Sequence, residues 1–332
     1  MRCCVTYAIF DQDKFCYQHH DHCWEAEDRL PDPSSRTIFT LLNGTKTSFD
    51  SANICAAGDP LALTGDSQYH SDNCTSMVDW IRGTDGWTLA RDRDDWTLGD
   101  IVYSTPVVVQ EPSLSAIPAE GSGSCGTGDS APCYGGCVCS DNSTTSCRRQ
   151  CFFCYRECEK ARDRMIYVGA NDGMLHGFIG GVWDSDNQTW ITDPSSDTRI
   201  GKERWAYIPS NLLSKLKELA RVRYGNSTAG DCVHRFMVDL SPQAYEVYID
   251  PTGTGTSREW RTVLIGGERG GGDALFALDV TDPDDPQILW EYPIFRNMVQ
   301  ITGASSPYQV STPYRASTLY ETVKALPSSW AI

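Results

Sequence analysis

From residue 99 to residue 292 the apolar positions of the chain come in short runs rich in Val, Ile, Tyr and Trp, divided by Gly, Asp and Ser. That pattern predicts β-strands joined by turns rather than long helices. The runs form two sets: 101–109, 165–169, 174–179 and 204–208, then 236–249, 262–266, 274–280 and 288–292. Each set opens on a Ser-Pro or Ser-x-Pro strand, passes through a strand ending in Gly, and closes on a strand bearing Trp. Four short antiparallel strands per unit, repeated, are the mark of propeller blades, with a flat sandwich as the alternative. On this reading Gly169 and Gly266 permit tight left-handed turns into the third strands, and Trp205 and Trp290 fill the wedge between neighbouring blades. Two blades cannot close a ring. The expected fold is therefore mainly β, a partial β-propeller of four-stranded, quinoprotein-like blades over 99–292, followed by a divergent or truncated segment 293–332.

Helical spacing is confined to three places. Leu212, Leu213, Leu216, Leu219 and Ala220 recur on one face of 210–220, with Ser210 or Asn211 as the cap. A short helix is expected around 75–82; the rest of 1–98 is polar and Cys-dotted and reads as irregular and disulfide-held. Within the blades, 110–163 is a Cys-rich loop-helix insertion, Gly/Ser/Pro-rich to residue 146 and helical after it.

Charge narrows the partners. Subtracting 44 acidic from 28 basic residues leaves −16 over 332 residues, a surface that repels phosphate backbones, so no nucleic acid is expected. Cations and basic protein surfaces suit it better. Fifteen cysteines point to an oxidising, extracellular compartment, and being odd in number they leave at least one for another chain or unpaired. The tripeptides at Asn43, Asn142, Asn187 and Asn226 are compatible with export. No run of 18 apolar residues predicts a transmembrane helix, and the first residues lack the layout of a signal peptide, so the chain reads as a fragment.

Cys147, Cys151, Cys154 and Cys158 fall at i, i+4, i+7 and i+11, one face of a helix, and Cys125, Cys133, Cys137 and Cys139 lie in the loop before it. Eight such residues suit disulfides pinning the loop to its helix; zinc at Cys151-x-x-Cys154 and a redox role for that pair are the other readings. His19, His20 and His22, followed by Cys23, form either a transition-metal site or a solvated turn. Asp184, Asp186 and Asn187, and likewise Asp282, Asp284 and Asp285, offer oxygens to calcium or are solvated turns; neither stretch has the Gly and Glu of an EF-hand. The Gly-rich 266–272 lacks the Gly-Lys-Ser/Thr ending of a phosphate loop and reads as an interstrand turn. No nucleophile elbow or zinc-protease motif is present, so no catalytic residue is assigned.

Five stretches carry a family resemblance in this order: "LGDIVYSTPVVV" (98–109), "RMIYVGANDGMLHGF" (164–178), "ERWAYIPSNLLSKLKELA" (203–220), "HRFMVDLSP" (234–242) and "TVLIGGERGGGDALFALDVTDP" (262–283). Together they resemble the β-propeller of the PilC/PilY family of type IV pilus tip and biogenesis proteins, and the weaker "RTIFTLLNGT" (36–45) and "VDWIRG" (78–83) resemble the segment that approaches it. The resemblance implies a non-enzymatic protein at the pilus tip or outer surface, acting in pilus assembly and adhesion, with pilin or minor pilin subunits and a host or abiotic surface as partners. It also implies that calcium belongs to a later blade, outside this chain. The Cys-rich insertion departs from the family pattern. Two rivals stand beside it. A quinoprotein dehydrogenase is echoed by Gly201-Lys-Glu-Arg-Trp205 and by Ala277-Leu-Asp279 with Trp290, but it needs a vicinal disulfide, and Cys3-Cys4 lies outside the blades. The other rival is a structural cap of an extracellular filament, binding through an open strand edge.

Overall fold

The computed structural model describes residues 14–15, 24–94, 96–114, 145–222, 224, 234–251 and 258–293. The chain divides into two compact units, Met1–Val109 with Asp163–Pro242 and Gly266–Phe276, and Gln110–Arg162 with Gln243–Ile265 and Ala277–Ile332. Ahead of both main sheets, β1 (Lys14–Phe15) and β2 (Trp24–Glu25) form a two-stranded ladder.

The first unit is built on a sheet containing β3 (Ile38–Leu42), β4 (Thr45–Ser48), β5 (Val107–Val109), β6 (Arg164–Gly169), β7 (Leu175–Asp184), β8 (Thr189–Ile191) and β9 (Glu203–Ile208). Its order is β4–β3–β9–β7–β6–β5, with β8 paired to the far end of β7. The four runs of the first predicted set thus lie side by side, each pair antiparallel. The first of them is shorter than its apolar run: only 107–109 is strand. Ahead of it the backbone of 103–105 bonds to 239–241 instead, and Pro106 has no N–H to give a ladder. In the same way β10 (Gln243–Ile249) starts only after Pro242, not at residue 236.

The N-terminal segment, expected to be irregular, contributes a hairpin. Asn43 and Gly44 both take positive φ (51° and 78°), the two-residue turn whose twist suits paired strands, and β4 folds back on β3. β3 then pairs in parallel with β9, Phe39 opposite Tyr207. Helix α1 (Ser51–Ile54) is capped by Asp50, and α2 (Cys74–Arg82) stands where helical spacing places it, burying Met77, Val78, Trp80 and Ile81. A disulfide between Cys55 and Cys74 ties the two together.

Residues 210–220 are helical but not one α-helix: a 3₁₀ stretch, Ser210–Lys215, precedes α4 (Lys217–Ala220), and all five predicted apolar positions are buried. The cap position is Pro209, without a side-chain cap bond, so neither Ser210 nor Asn211 fills that role. The glycine reading also changes. Gly169 and Gly266 are not left-handed; Gly173 supplies the positive φ (96°) in the β6–β7 turn. A Cβ on Gly169 would lie 2.2 Å from the Val238 carbonyl oxygen, and one on Gly266 would lie 2.4 Å from the Phe276 ring. These glycines are required by close approach rather than by turn geometry.

The four-stranded sheet of the second predicted set runs β10, β11 (Glu259–Gly267), β12 (Ala274–Asp279) and β13 (Gln287–Pro293), again in chain order. It falls in the second unit apart from the stretch 266–276. Val247, Ile249, Val263, Ile265 and Ala277 make its core, with Leu289 and Trp290 packed against it. Helix α3 (Thr145–Glu159) docks within the second unit. Phe152 meets Trp260 edge-on at 4.9 Å, and the Tyr155 hydroxyl bonds Glu246 Oε2 (2.8 Å) and Thr262 Oγ1 (2.6 Å). Among the described residues no helix is long and apolar enough to cross a membrane.

Candidate functional site: a buried ionic network and a motif clasp

Strands of a sheet buried on both faces read as apolar runs, and a charge inside such a run needs a partner. In the first unit four charged groups find one another. Arg36, just ahead of β3, donates from Nε and Nη2 to the two oxygens of Glu203, each at 2.8 Å. Glu203, the first residue of β9, also accepts from His176 Nδ1 of β7 at 2.7 Å. His176 Nε2 donates to Asp172 Oδ2 at 3.1 Å, and Asp172 in turn accepts from the Gly99 N–H (3.0 Å) and the Met174 N–H (3.1 Å). Arg36 Nη1 closes the set on the Arg82 carbonyl at 2.9 Å.

Both imidazole nitrogens face carboxylates, so the ring donates twice and is a cation. Burial alone would lower its pKa. The Asp172 charge and the bonds to Asp172 and Glu203 outweigh burial and raise it to about 9. Glu203 goes the other way: burial pushes it up, but the Arg36 charge and the bonds from His176 and Arg36 bring it down to about 2. Asp172 is likewise held below its ordinary value against burial, chiefly by His176. Two cations and two carboxylates balance, and the chemistry of the set is cohesion. Neither imidazole nitrogen is open to a substrate, and His176 is fully buried.

A second constellation clasps two irregular segments. The Ser104 hydroxyl donates to the Leu240 carbonyl and accepts from the Gly169 N–H (2.8 Å), while the Ser241 hydroxyl donates to the Tyr103 carbonyl and accepts from the Thr105 N–H (2.9 Å). The serines of the two Ser-Pro signatures therefore bind each other's segments. Asn171 joins in: its amide donates to Asp100 Oδ2 and accepts from the Met237 N–H. His234 Nε2 bonds Asp100 Oδ2 at 2.8 Å, which raises its pKa. Asp239, 3.6 Å from the Arg269 guanidinium, is pushed up to about 6, mainly by desolvation. Arg269 also lies over the Tyr103 ring at 3.8 Å.

These two networks draw on Arg36, Gly99, Asp100, Ser104, Asn171, Asp172, His176, Glu203, His234 and Asp239, all of them motif positions that sequence reasoning had not assigned a role. The legible signal was an isolated charge or histidine inside an apolar run, as in "MLHGF" and "ERWAYI".

The sequence-derived candidates lie elsewhere. Cys147, Cys151, Cys154 and Cys158 are each disulfide-bonded on α3, the first three buried and Cys158 exposed. Bonded sulfurs are not thiolates, which removes zinc or free-dithiol chemistry from Cys151 and Cys154. Cys125, Cys133, Cys137, Cys139, His19, His20 and His22 lie outside the described residues. Asp184, Asp186 and Asn187 form the exposed β7–β8 turn, where Asp184 accepts from the N–H groups of Asp186 and Asn187 and from the Asn187 amide (2.7 Å). Among the described residues no three His, Cys, Asp or Glu side chains converge on a metal position. The Gly-rich run is the β11–β12 connection, with a 3₁₀ turn at Arg269–Gly271.

Comparison with known proteins agrees with the motif order. Residues 145–308 match the model of the PilY1 beta-propeller domain. The type IV pilus biogenesis factor PilY1 of Pseudomonas aeruginosa is 33% identical over 271 residues, covering 78% of this chain and 18% of that protein. A PilY1 homolog of Xylella fastidiosa is 36% identical over 127 residues, 38% of this chain and 8% of its own length. The chain thus spans less than a fifth of the curated relatives it matches. A crystal structure of the P. aeruginosa PilY1 C-terminal domain is 34% identical, covers 43% of this chain and 21% of that one, and superposes with a TM-score of 0.26. The chain is a relative of the PilY1 type IV pilus biogenesis factors, its residues 145–308 matching the model of their β-propeller domain.

Proposed function

We propose that this chain is the propeller-bearing part of an extracellular type IV pilus protein that acts in pilus assembly and adhesion from the pilus tip or outer cell surface. The observation that carries the reading is the coincidence of family motif and internal framework. Residues of the stretches that carry the resemblance build the ionic network and the clasp, within a sheet whose β5, β6, β7 and β9 follow the predicted blade order. On this reading each of the two sheets contains a four-stranded blade, and the domain boundaries follow 1–98, 99–292 and 293–332, with the insertion at 110–163. The loop cysteines Cys125, Cys133, Cys137 and Cys139 pair with the four of α3. Partners are pilin or minor pilin subunits and a host or abiotic surface. No role in catalysis is proposed.

The test is an in-frame deletion of the segment encoding 145–308 in the source bacterium, scored by electron microscopy of surface pili and by attachment. Fewer pili, weaker attachment and loss of antibody label at pilus ends are expected. Unchanged piliation and attachment would sink the reading.

A further inference from the structure

We propose that the β3–β9 junction is a mechanical clamp, a tension-resistant joint inside the first unit between the chain just ahead of β3 and the chain just after β9. The proposal rests on the pilus reading only for the source of the tension; the geometry stands by itself.

β3 and β9 are parallel, with Ile38, Phe39 and Thr40 opposite Ala206, Tyr207 and Ile208. A pull on the chain before β3 and on the chain after β9 acts along the two strands in opposite senses. The slanted, evenly spaced bonds of a parallel pair are then strained together rather than one after another. Three further features act along the same line.

The Arg36–Glu203 pair sits at the N-terminal ends of both strands, where tension reaches β3 first, and its two bonds are buried. Charge-assisted, two-pronged bonds away from water are the strong kind. Glu203 is itself held by His176, so the pull is shared with β7, the next strand of the sheet. Second, the Arg82 guanidinium of α2 donates to the carbonyls of Pro33 (3.0 Å), Arg36 (2.7 Å) and Phe49 (2.8 Å), gripping the backbone on both sides of the β3–β4 hairpin. Third, Phe39 packs at 5.6 Å from Trp205 and 5.3 Å from Tyr207, so sliding β3 along β9 drags one ring across two others. Every one of these residues lies in the first unit.

Pulling single molecules of the full chain in two directions tests the clamp. With p-azidophenylalanine handles replacing Ser35, just ahead of β3, and Asn211, shortly after β9, both exposed, the two strands are sheared. With the first handle moved to Asn43, in the exposed turn at the far end of β3, both strands are pulled from the same end and unzip. The shear geometry should need a several-fold higher rupture force. Arg36→Lys, which keeps the charge but loses the two-pronged fit, should lower the shear force and leave the unzipping force nearly unchanged. Equal rupture forces in the two directions of the otherwise unaltered protein would overturn the clamp, whether or not the Arg36→Lys variant folds. That result would leave the pilus reading standing, whereas normal piliation after deletion would sink the pilus reading and leave the clamp intact.

Discussion

His176 is a histidine that titrates for cohesion rather than for catalysis. Its pKa is near 9 in the folded chain and 6.5 as an ordinary imidazole, so folding takes up a proton between those values. The stabilisation it brings is complete below pH 6.5 and is lost as pH rises through about 9. Glu203 sets the acid limit: its contribution is present above 4.5 and lost as pH falls through about 2. The network is therefore at full strength between pH 4.5 and 6.5. Chemical denaturation across pH 5 to 9 should show stability declining on the alkaline side, and His176→Gln should flatten that decline while lowering stability by about 3–5 kcal/mol, because it leaves buried carboxylate charge uncompensated. A variant with the same alkaline slope as the parent would assign the decline to other groups.

At the scale of strands and helices, the apolar runs gave β6, β9, β12 and β13 to within a residue at each end, because buried strands advertise themselves as apolar runs, whereas β7 runs on to Asp184 and β11 starts already at Glu259. The hairpin at 38–48 escaped, since β4 is Thr-Lys-Thr-Ser and carries no alternation. The partners of β3 were equally hidden: a parallel pairing across more than 150 residues leaves no local trace. Gly169 was legible as a required glycine but not for its reason, because the Val238 carbonyl that crowds it belongs to a distant segment. Gly169→Ala should cost about 1–3 kcal/mol through overpacking against that backbone oxygen. The midpoint of urea unfolding reads this directly, and an unshifted midpoint would mean that the two segments part easily.

For the molecule as a whole, fifteen cysteines point to an oxidising environment before any fold is visible, and the Cys55–Cys74 bond agrees with that. Composition could not announce connectivity, because several pairings satisfy any one spacing. The Cys55–Cys74 bond, 19 residues apart, restrains the unfolded chain more than it shapes the folded one. Replacing both with Ala should lower the stability of the first unit by about 3 kcal/mol on the loop-entropy scale. Calorimetry with and without the substitutions measures it, and an unchanged unfolding transition would assign the restraint to the α1–α2 packing alone. The ionic network was the least legible feature at this scale, since its members lie at residues 36, 172, 176 and 203 and meet only when the sheet assembles.

The order of that sheet decides who its neighbours can be. Were it to end at β9, a fully formed strand with Trp205, Tyr207 and Ile208 would present a row of unpaired backbone groups to any passing chain. β3 covers that row and hands the boundary to β4, four residues long and polar throughout, with Lys46 near its middle. A short, hydrophilic, charged border is a poor template for strand addition. At this border of the sheet the hairpin disfavours strand addition by another copy of the chain.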